Sequence, residues 1–300
     1  MIITDQEDNE DMLVTMKEIL EHARQNNYCL PAPNICCEVD ARAAIAAAEE
    51  ANTPLIIDIA YWHHPDFMYL GHLVRQLALQ TPIPVAINLD HGKTEEMVMG
   101  AFQAGFTSVM CDYSALPLAE NIEKAKKVVE FAHAAGLTVE SELGKVGNAQ
   151  TYAEDGEQGL TDPQEAARFV RETGIDALAV AIGTAHGFYN GEVKIDVERF
   201  ESIKKACEGM DVYWVLHGGS DTGFDKLRLA ASHGIQKLNV GHDLWKGAIL
   251  AVKEYPEYDG FFWGAAAEGF KNALLEYYKE LGATNKAWTA VCQTGKKWYV

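Results

Sequence analysis

The amino-acid sequence predicts a (β/α)8 barrel with a C-terminal helical extension, and three observations carry that reading. Eight short runs recur along the 300 residues, most of them rich in Val, Ile and Leu without polar alternation, the pattern of parallel strands buried on both faces. Amphipathic stretches with recognisable caps lie between them. Each strand–helix unit takes roughly 30 residues, and eight of them fill the roughly 250 that such a barrel needs.

The first predicted strand is Tyr28–Pro31, followed by an alanine-rich helix over Ala41–Ala51. Leu55–Ile59 and Pro84–Leu89 are the second and third, and the helix Glu95–Ala104 is closed by Gly105. The fourth, Ser108–Cys111, leads to a helix from Glu120 to Ala135. That helix keeps Ile122, Ala125, Val128, Val129 and Ala132 on one face and stops at Gly136. Leu137–Glu140 is the fifth strand. Asp162, Pro163 and Glu165 then supply an N-cap, a first-turn proline and a capping-box acid ahead of Ala167, Phe169 and Val170, and Gly174 ends the helix. Ala177–Ala181, Val212–Leu216 and Ile235–Val240 complete the eight. Beyond about residue 255 the chain is aromatic (Tyr255, Tyr258, Phe261, Phe262, Trp263, Tyr277, Tyr278) and reads as helical over Ala265–Leu281, suited to capping the barrel or meeting another subunit. There is no Pro/Gly/Ser-rich linker, so residues 1–300 read as one barrel domain with 255–300 as its extension. A doubly wound sheet is the competing fold. It usually carries a glycine fingerprint after the first strand, and Pro31-Ala32-Pro33-Asn34 is not one.

Composition narrows the function. Lys+Arg 25 against Asp+Glu 44 gives a formal charge of -19, which argues against nucleic acid, whose phosphates demand a basic face. No stretch approaches the roughly 20 uncharged apolar residues of a membrane span. Asp5, Glu7, Asp8, Glu10 and Asp11 make the first dozen residues the opposite of a targeting leader. Six cysteines (Cys29, Cys36, Cys37, Cys111, Cys207, Cys292) follow neither disulfide nor zinc-knuckle spacing, which points to a reduced cytoplasm.

A barrel enzyme keeps its chemistry where strands end and βα loops begin. Six successive strand ends here deliver acids, imidazoles or glycines: Asp90-His91-Gly92, Asp112-Tyr113-Ser114, Glu140-Ser141-Glu142, the turn Gly183 to Gly187 with His186, His217-Gly218-Gly219-Ser220-Asp221, and Asn239-Val240-Gly241-His242-Asp243. Three histidines, each followed by glycine, come from three different strands. Three imidazoles with an open fourth position hold a catalytic zinc ion; the alternative is that they cap and hydrogen-bond. Adjacent residues at a strand end point in different directions, so Asp90 suits an acid/base role beside the metal, the alternative being orientation of a histidine N–H. Gly218, Gly219 and Ser220 suit a phosphate-binding turn. The long polar segment between Glu142 and Thr161 reads as a catalytic loop with Glu154 and Asp155 as candidate bases, or as an acidic surface loop. His63-His64 reads as structural, and His22, His133 and His233 as helical surface residues.

Taken together, Leu89 to Gly92, Ala119 to Asn121, Val139 to Gly144, Leu160 to Pro163, Ala179 to Gly187, Leu216 to Asp221 and Asn239-Val240 make the chain, from about Met12 to Ala287, resemble the class II, metal-dependent ketose-bisphosphate aldolases. The resemblance implies that His91, His186 and His217 bind one catalytic zinc ion per subunit, with room for a monovalent cation beside it. It implies that Asp90 exchanges a proton with the C4 hydroxyl, and that Asp112 and Glu142 lie at a second metal position. Gly187, Gly218, Ser220 and Asn239 would cradle a dihydroxyacetone phosphate half. Three departures from the family pattern stand out: Ala60 where serine is common, Phe188-Tyr189-Asn190 where a basic residue often follows, and His242 in place of threonine. The reading is a zinc-dependent carbon–carbon lyase acting on a sugar phosphate, with a substrate that need not be fructose 1,6-bisphosphate. An unphosphorylated or atypical ketose, a metal-dependent isomerase or epimerase, and a non-catalytic scaffold are its alternatives. The family pattern and the aromatic tail point to a homodimer or homotetramer, with neither nucleic acid nor membrane as partner.

Overall fold

A computed structural model describes residues 12–148, 159–189, 191–257 and 259–288. The acidic residues before Met12, the loop residues Glu154, Asp155 and Gly156, and Asn190, Tyr258 and Cys292 lie outside that set.

Eight parallel strands form one sheet: β1 (Leu30–Pro33), β2 (Leu55–Ala60), β3 (Val85–Gly92), β4 (Ser108–Cys111), β5 (Thr138–Leu143), β6 (Ala177–Val180), β7 (Tyr213–Leu216) and β8 (Lys237–Val240). From β2 to β8 each pairs with the next, and β8 returns to β1 in the register Leu30↔Lys237 to Pro33↔Val240. The remaining seam, between β1 and β2, is joined by a bridge from Asn34 to Asp58, with Ile35 N donating to Asp58 O at 3.1 Å. The result is a (β/α)8 barrel, as the spacing of apolar runs predicts. Helix α1 (Met16–Gln25) precedes β1. The others follow the strands one by one: α2 (Glu38–Ala51), α3 (Phe67–Ala78), α4 (Glu95–Gln103), α5 (Leu118–Ala134), α6 (Pro163–Thr173), α7 (Val197–Ala206), α8 (Phe224–Ser232) and α9 (His242–Glu254), and then α10 (Phe262–Glu280).

Local chemistry sets these limits. Asp162 Oδ1 accepts from the backbone N–H of Gln164 (2.8 Å) and Glu165 (3.0 Å), Pro163 opens α6, and Gly174 ends it at φ 72°. The buried face of α5 is the one read from the sequence: Ile122, Ala125, Val128, Val129 and Ala132. The C-terminal extension is helical, as expected: α10 lies along α9 and α2 and buries Phe270, Leu274, Tyr277 and Tyr278 in the common core. Strand β5 runs on to Leu143, which places Glu142 inside the strand rather than in the loop.

The period of two along a strand builds the interior. Asp58 on β2, Asn88 on β3, Glu140 on β5 and Lys237 on β8 are all fully buried and touch one another across the barrel. Two residues further along their strands stand Asp90, Glu142 and Asn239. Layers usually filled by branched aliphatics are here polar.

Helices α9 and α10 cross where both are glycine. A Cβ on Gly269 would stand 2.4 Å from Gly247 O, and one on Gly247 2.6 Å from Gly269 O. Gly269→Val should therefore force the helices apart and lower stability by about 1–3 kcal/mol, read as a drop in the denaturant midpoint at unchanged m-value.

Candidate active site

At the C-terminal mouth of the barrel a cleft of about 120 Å³ is lined by Asp90, His91, His186, Asn239, His242 and the Gly218–Ser220 turn, among others. His91, His186 and His217 come together there, with one ring nitrogen of each within 4.8 Å of the others. His186 is carried by a two-residue parallel ladder in which Gly147–Asn148 pairs with Ala185–His186, so the loops after β5 and β6 hold each other in place.

His91 sits at φ 51°, in the left-handed region, where the β3–β4 register shifts between Leu89 and Gly92. Strict alternation would send Asp90 and His91 to opposite faces. The irregularity turns both inward instead, leaving His91 Nε2 3.8 Å from Asp90 Oδ1, which corrects the expectation that they diverge.

The partners of the histidines define their chemistry. His91 Nδ1 lies 2.7 Å from Asp112 Oδ2, and His217 Nε2 lies 2.9 Å from Glu140 Oε1, so each ring donates one N–H to a buried carboxylate. The nitrogens left over, His91 Nε2 and His217 Nδ1, face each other at 3.1 Å. Two neutral rings would oppose lone pair to lone pair at that distance. A cation must lie between them, either a proton or a metal ion, and three imidazole nitrogens are a donor set that zinc accepts. Without metal the proton answers: burial lowers the affinity of His91 for it, but the charges of Asp90, Asp112 and Glu142 outweigh burial and carry its pKa to about 9. Burial together with the charges on His217 and His91 pushes His186 down to about 3, which keeps it neutral and free to donate its lone pair.

Asp112 is held well below the usual carboxylate range. Burial opposes its charge, yet bonds from His91, Lys93 and Ser114 outweigh that. With His91 and Glu142 it forms a second triplet of possible ligands. Glu142 is pushed up, mainly by burial, and its Oε2 is buried without a hydrogen bond.

Asp90 is held by two amides rather than by cationic side chains. Asn34 Nδ2 donates to one oxygen (2.8 Å) and Asn239 Nδ2 to the other (3.2 Å). Burial works against its charge, but His91, His217 and Lys237 overcome burial and keep it ionised. Lys237, wholly buried, sits beneath all of this. Its Nζ lies 3.1 Å from Asp58 Oδ2, 3.0 Å from Glu140 Oε2 and 2.6 Å from Asn239 Oδ1. One ammonium therefore holds both Glu140, which orients His217, and Asn239, which orients Asp90. Burial pushes Asp58 up to about 7 against the pull of Lys237.

Sequence reasoning missed Lys237, Glu140, Asp58 and Asn34 as members of this network. The signal was there in Asp58, Glu140 and Lys237, since a charged residue inside an apolar strand has to find a partner. It also set aside His63, which lines the cleft with Trp62 and Trp245. Burial lowers the pKa of His63 and so favours its neutral form. His22 and His133 do lie on helices, and His233 is the residue that ends α8.

The glycine turns are sterically obligatory. Gly218 has φ 74° and a Cβ there would meet Ala185 O at 2.4 Å; at Gly219 it would meet Asn239 O at 2.7 Å. Gly187 also has positive φ, at 104°. Ser220 Oγ accepts from the backbone N–H of Gly241 (3.3 Å) and Asp243 (3.2 Å), fastening this turn to the first residues of α9, among them His242.

The sequence profile described as fructose-bisphosphate aldolase class-II matches residues 14–286. A fructose-bisphosphate aldolase of Staphylococcus aureus is 36% identical over 286 residues, covering 92% of this chain and 99% of that protein. Among solved structures, the YdjI aldolase from Escherichia coli K12 superposes with a TM-score of 0.83 at 32% identity, covering 92% of this chain and all of the other. A structure described as a putative fructose-1,6-biphosphate aldolase from Coccidioides immitis gives 0.80 at 26% identity, with 90% and 97% covered.

Lys237→Met should strand the carboxylates of Asp58 and Glu140 without a counter-charge and cost about 3–5 kcal/mol, measured by urea unfolding. Adding Asp58→Asn to that variant should return part of the loss, because Asp58 no longer has to take up a proton to stay buried.

Proposed function

The chain belongs to the class II fructose-bisphosphate aldolase family, and from that premise we propose that it cleaves a ketose carrying a dihydroxyacetone phosphate half, with one zinc ion per subunit held by His91, His186 and His217. It is an aldolase, a carbon–carbon lyase of a metal-dependent family. The observation that carries the zinc assignment is the 3.1 Å approach of two imidazole nitrogens whose rings are each committed to a carboxylate on the other side.

When bound, the ion supplies Lewis acidity at the ketose carbonyl and its neighbouring hydroxyl and stabilises negative charge on the ketone half. The chain does the rest. Asp90, ionised and fixed by Asn34 and Asn239, takes the proton of the C4 hydroxyl. The electron pair left on that oxygen forms the second bond of the aldehyde carbonyl as the C3–C4 bond breaks, and the C3–C4 pair stays on the ketone half as an enediolate, to be protonated at C3. Gly187, Gly218 and Ser220, with the first turn of α9, present backbone N–H groups to the phosphate. His242, the first residue of α9, adds an imidazole where the family has threonine, and Ala60 removes a hydroxyl at the end of β2. These changes support a substrate other than fructose 1,6-bisphosphate. Asp112 and Glu142 offer an alternative metal position beside His91.

Free thiols at Cys29, Cys36, Cys37, Cys111 and Cys207 suit a reducing cytoplasm. No helix among the described residues is long and apolar enough to cross a membrane. Exposed Ile249, Phe261 and Trp263 support assembly into a homodimer or homotetramer.

Zinc-loaded protein should cleave ketose phosphates in a screen that monitors released aldehyde, and a chelator should abolish the cleavage. Asp90→Ala should lower turnover by about 10²–10⁴-fold while zinc content by metal analysis stays near one per chain; loss of the metal would instead make Asp90 an orienting partner of His91. Glu140→Gln should weaken zinc binding by about 10–100-fold in a competition titration with a chromogenic chelator.

A further inference from the structure

We propose that the aldehyde half of the substrate is an uncharged, polyhydroxylated chain seated against a wall formed by Trp62, His63 and Trp245, and that His63 selects it. The inference rests on the aldolase reading above and extends it to the other end of the substrate.

The wall is continuous. The Trp62 ring tilts 41° to that of His91 with centroids 5.6 Å apart, His63 stands edge-on to Trp62 (5.3 Å) and to Trp245 (5.0 Å), and Trp245 meets His242 at 5.6 Å. It therefore runs from a metal-ligand candidate to the start of α9. Its parts are fixed: His63 N donates to Ala60 O at 3.0 Å in the turn after β2, and Trp245 Nε1 donates to Asp40 Oδ2 at 3.3 Å.

Within this wall His63 Nδ1 is buried and has no hydrogen-bond partner. Leaving such a nitrogen unmet is unfavourable, and a substrate hydroxyl that reaches it would remove that penalty. The ketone half is accounted for by the histidine triad and the glycine turns on β6 to β8. Asp90, which takes the C4 proton, is held by Asn34 at the end of β1 as well as by Asn239. The chain beyond C4 is thus left the side of the cleft that β1 and the β2 loop build, where Trp62 and His63 stand.

That side suits a neutral sugar chain. Aromatic faces carry negative quadrupole density, which receives C–H groups and repels a phosphate dianion. Among the described residues lining the cleft there is no lysine or arginine to pair with a second phosphate. Trp62, 52% exposed, stands at the mouth, leaving the wall open to a chain of several carbons.

The test uses the zinc-loaded enzyme in the condensation direction. Solvent deuterium exchange into dihydroxyacetone phosphate, followed by NMR, reports formation of the enediolate without any acceptor. Condensation is then measured with glyceraldehyde 3-phosphate and with glyceraldehyde, erythrose and threose. The expected result is exchange, together with a kcat/KM at least about tenfold higher for an uncharged acceptor than for the phosphorylated one, a difference of about 1.4 kcal/mol. His63→Ala and His63→Phe should both raise the acceptor KM by about tenfold, the worth of one hydrogen bond, and by more than they raise that for dihydroxyacetone phosphate. His63→Phe keeps the ring and so separates the nitrogen from the packing. Exchange with a preference for glyceraldehyde 3-phosphate overturns the inference and leaves the aldolase reading standing, as do equal KM changes for both substrates in the two variants. Absence of exchange overturns the aldolase reading, and this inference with it.

Discussion

An ammonium group with no exposure to water needs counter-charges, and the interior of this barrel is arranged around that need at Lys237. Asp58 and Glu140 neutralise it, and Asn239 Oδ1 accepts a further hydrogen bond from it. A buried ion pair contributes little net stability against an apolar core of the same shape, but the loss of one partner is severe. Its use here is positional. Glu140 spends its second oxygen on His217, and Asn239 spends its amide on Asp90, so one fixed charge sets the direction of a ring and of a carboxylate on opposite sides of the cleft.

The second constraint is the backbone at His91. A non-glycine residue in the left-handed region costs about 1–3 kcal/mol, and the surrounding contacts repay it: Asp112 binds one ring nitrogen, and the other meets His217. Without the irregularity in β3, Asp90 and the ring beside it could not share one face. Strain at the strand end is what allows two consecutive residues to serve the same small volume.

The cleft is divided by chemistry as well as by position. Toward β6, β7 and β8 it offers imidazole nitrogens, glycine turns whose backbone no side chain could replace, and the positive end of α9. Toward β1 and β2 it offers amide, indole and imidazole surfaces. The acids between these halves are mostly engaged: Asp112 by Lys93 and His91, Glu140 by Lys237 and His217. Asp90 takes its hydrogen bonds from amides, which hold a carboxylate in place without supplying or removing a proton.

Much of this was already written in the chain. Apolar runs spaced by capped helices point to a parallel barrel because strands covered by helices on one face and by the barrel interior on the other have no solvent face. The three His-Gly pairs and Asp90 at the strand ends were legible because a barrel presents those ends at one face, whatever its loops do. The partners were not legible. Glu140, Asp58 and Lys237 lie 82 or more positions apart from one another in sequence, and only closure of the sheet brings them together. The inward turn of His91 depends on a register shift between strands, which no single strand encodes. His63 reads as a loop residue until the turn after β2 folds it against Trp245, 182 positions later. Periodicity and residue type are local properties, and they fixed the scaffold and its reactive edge; pairing across the barrel is a property of three dimensions, and it decided which groups could act together.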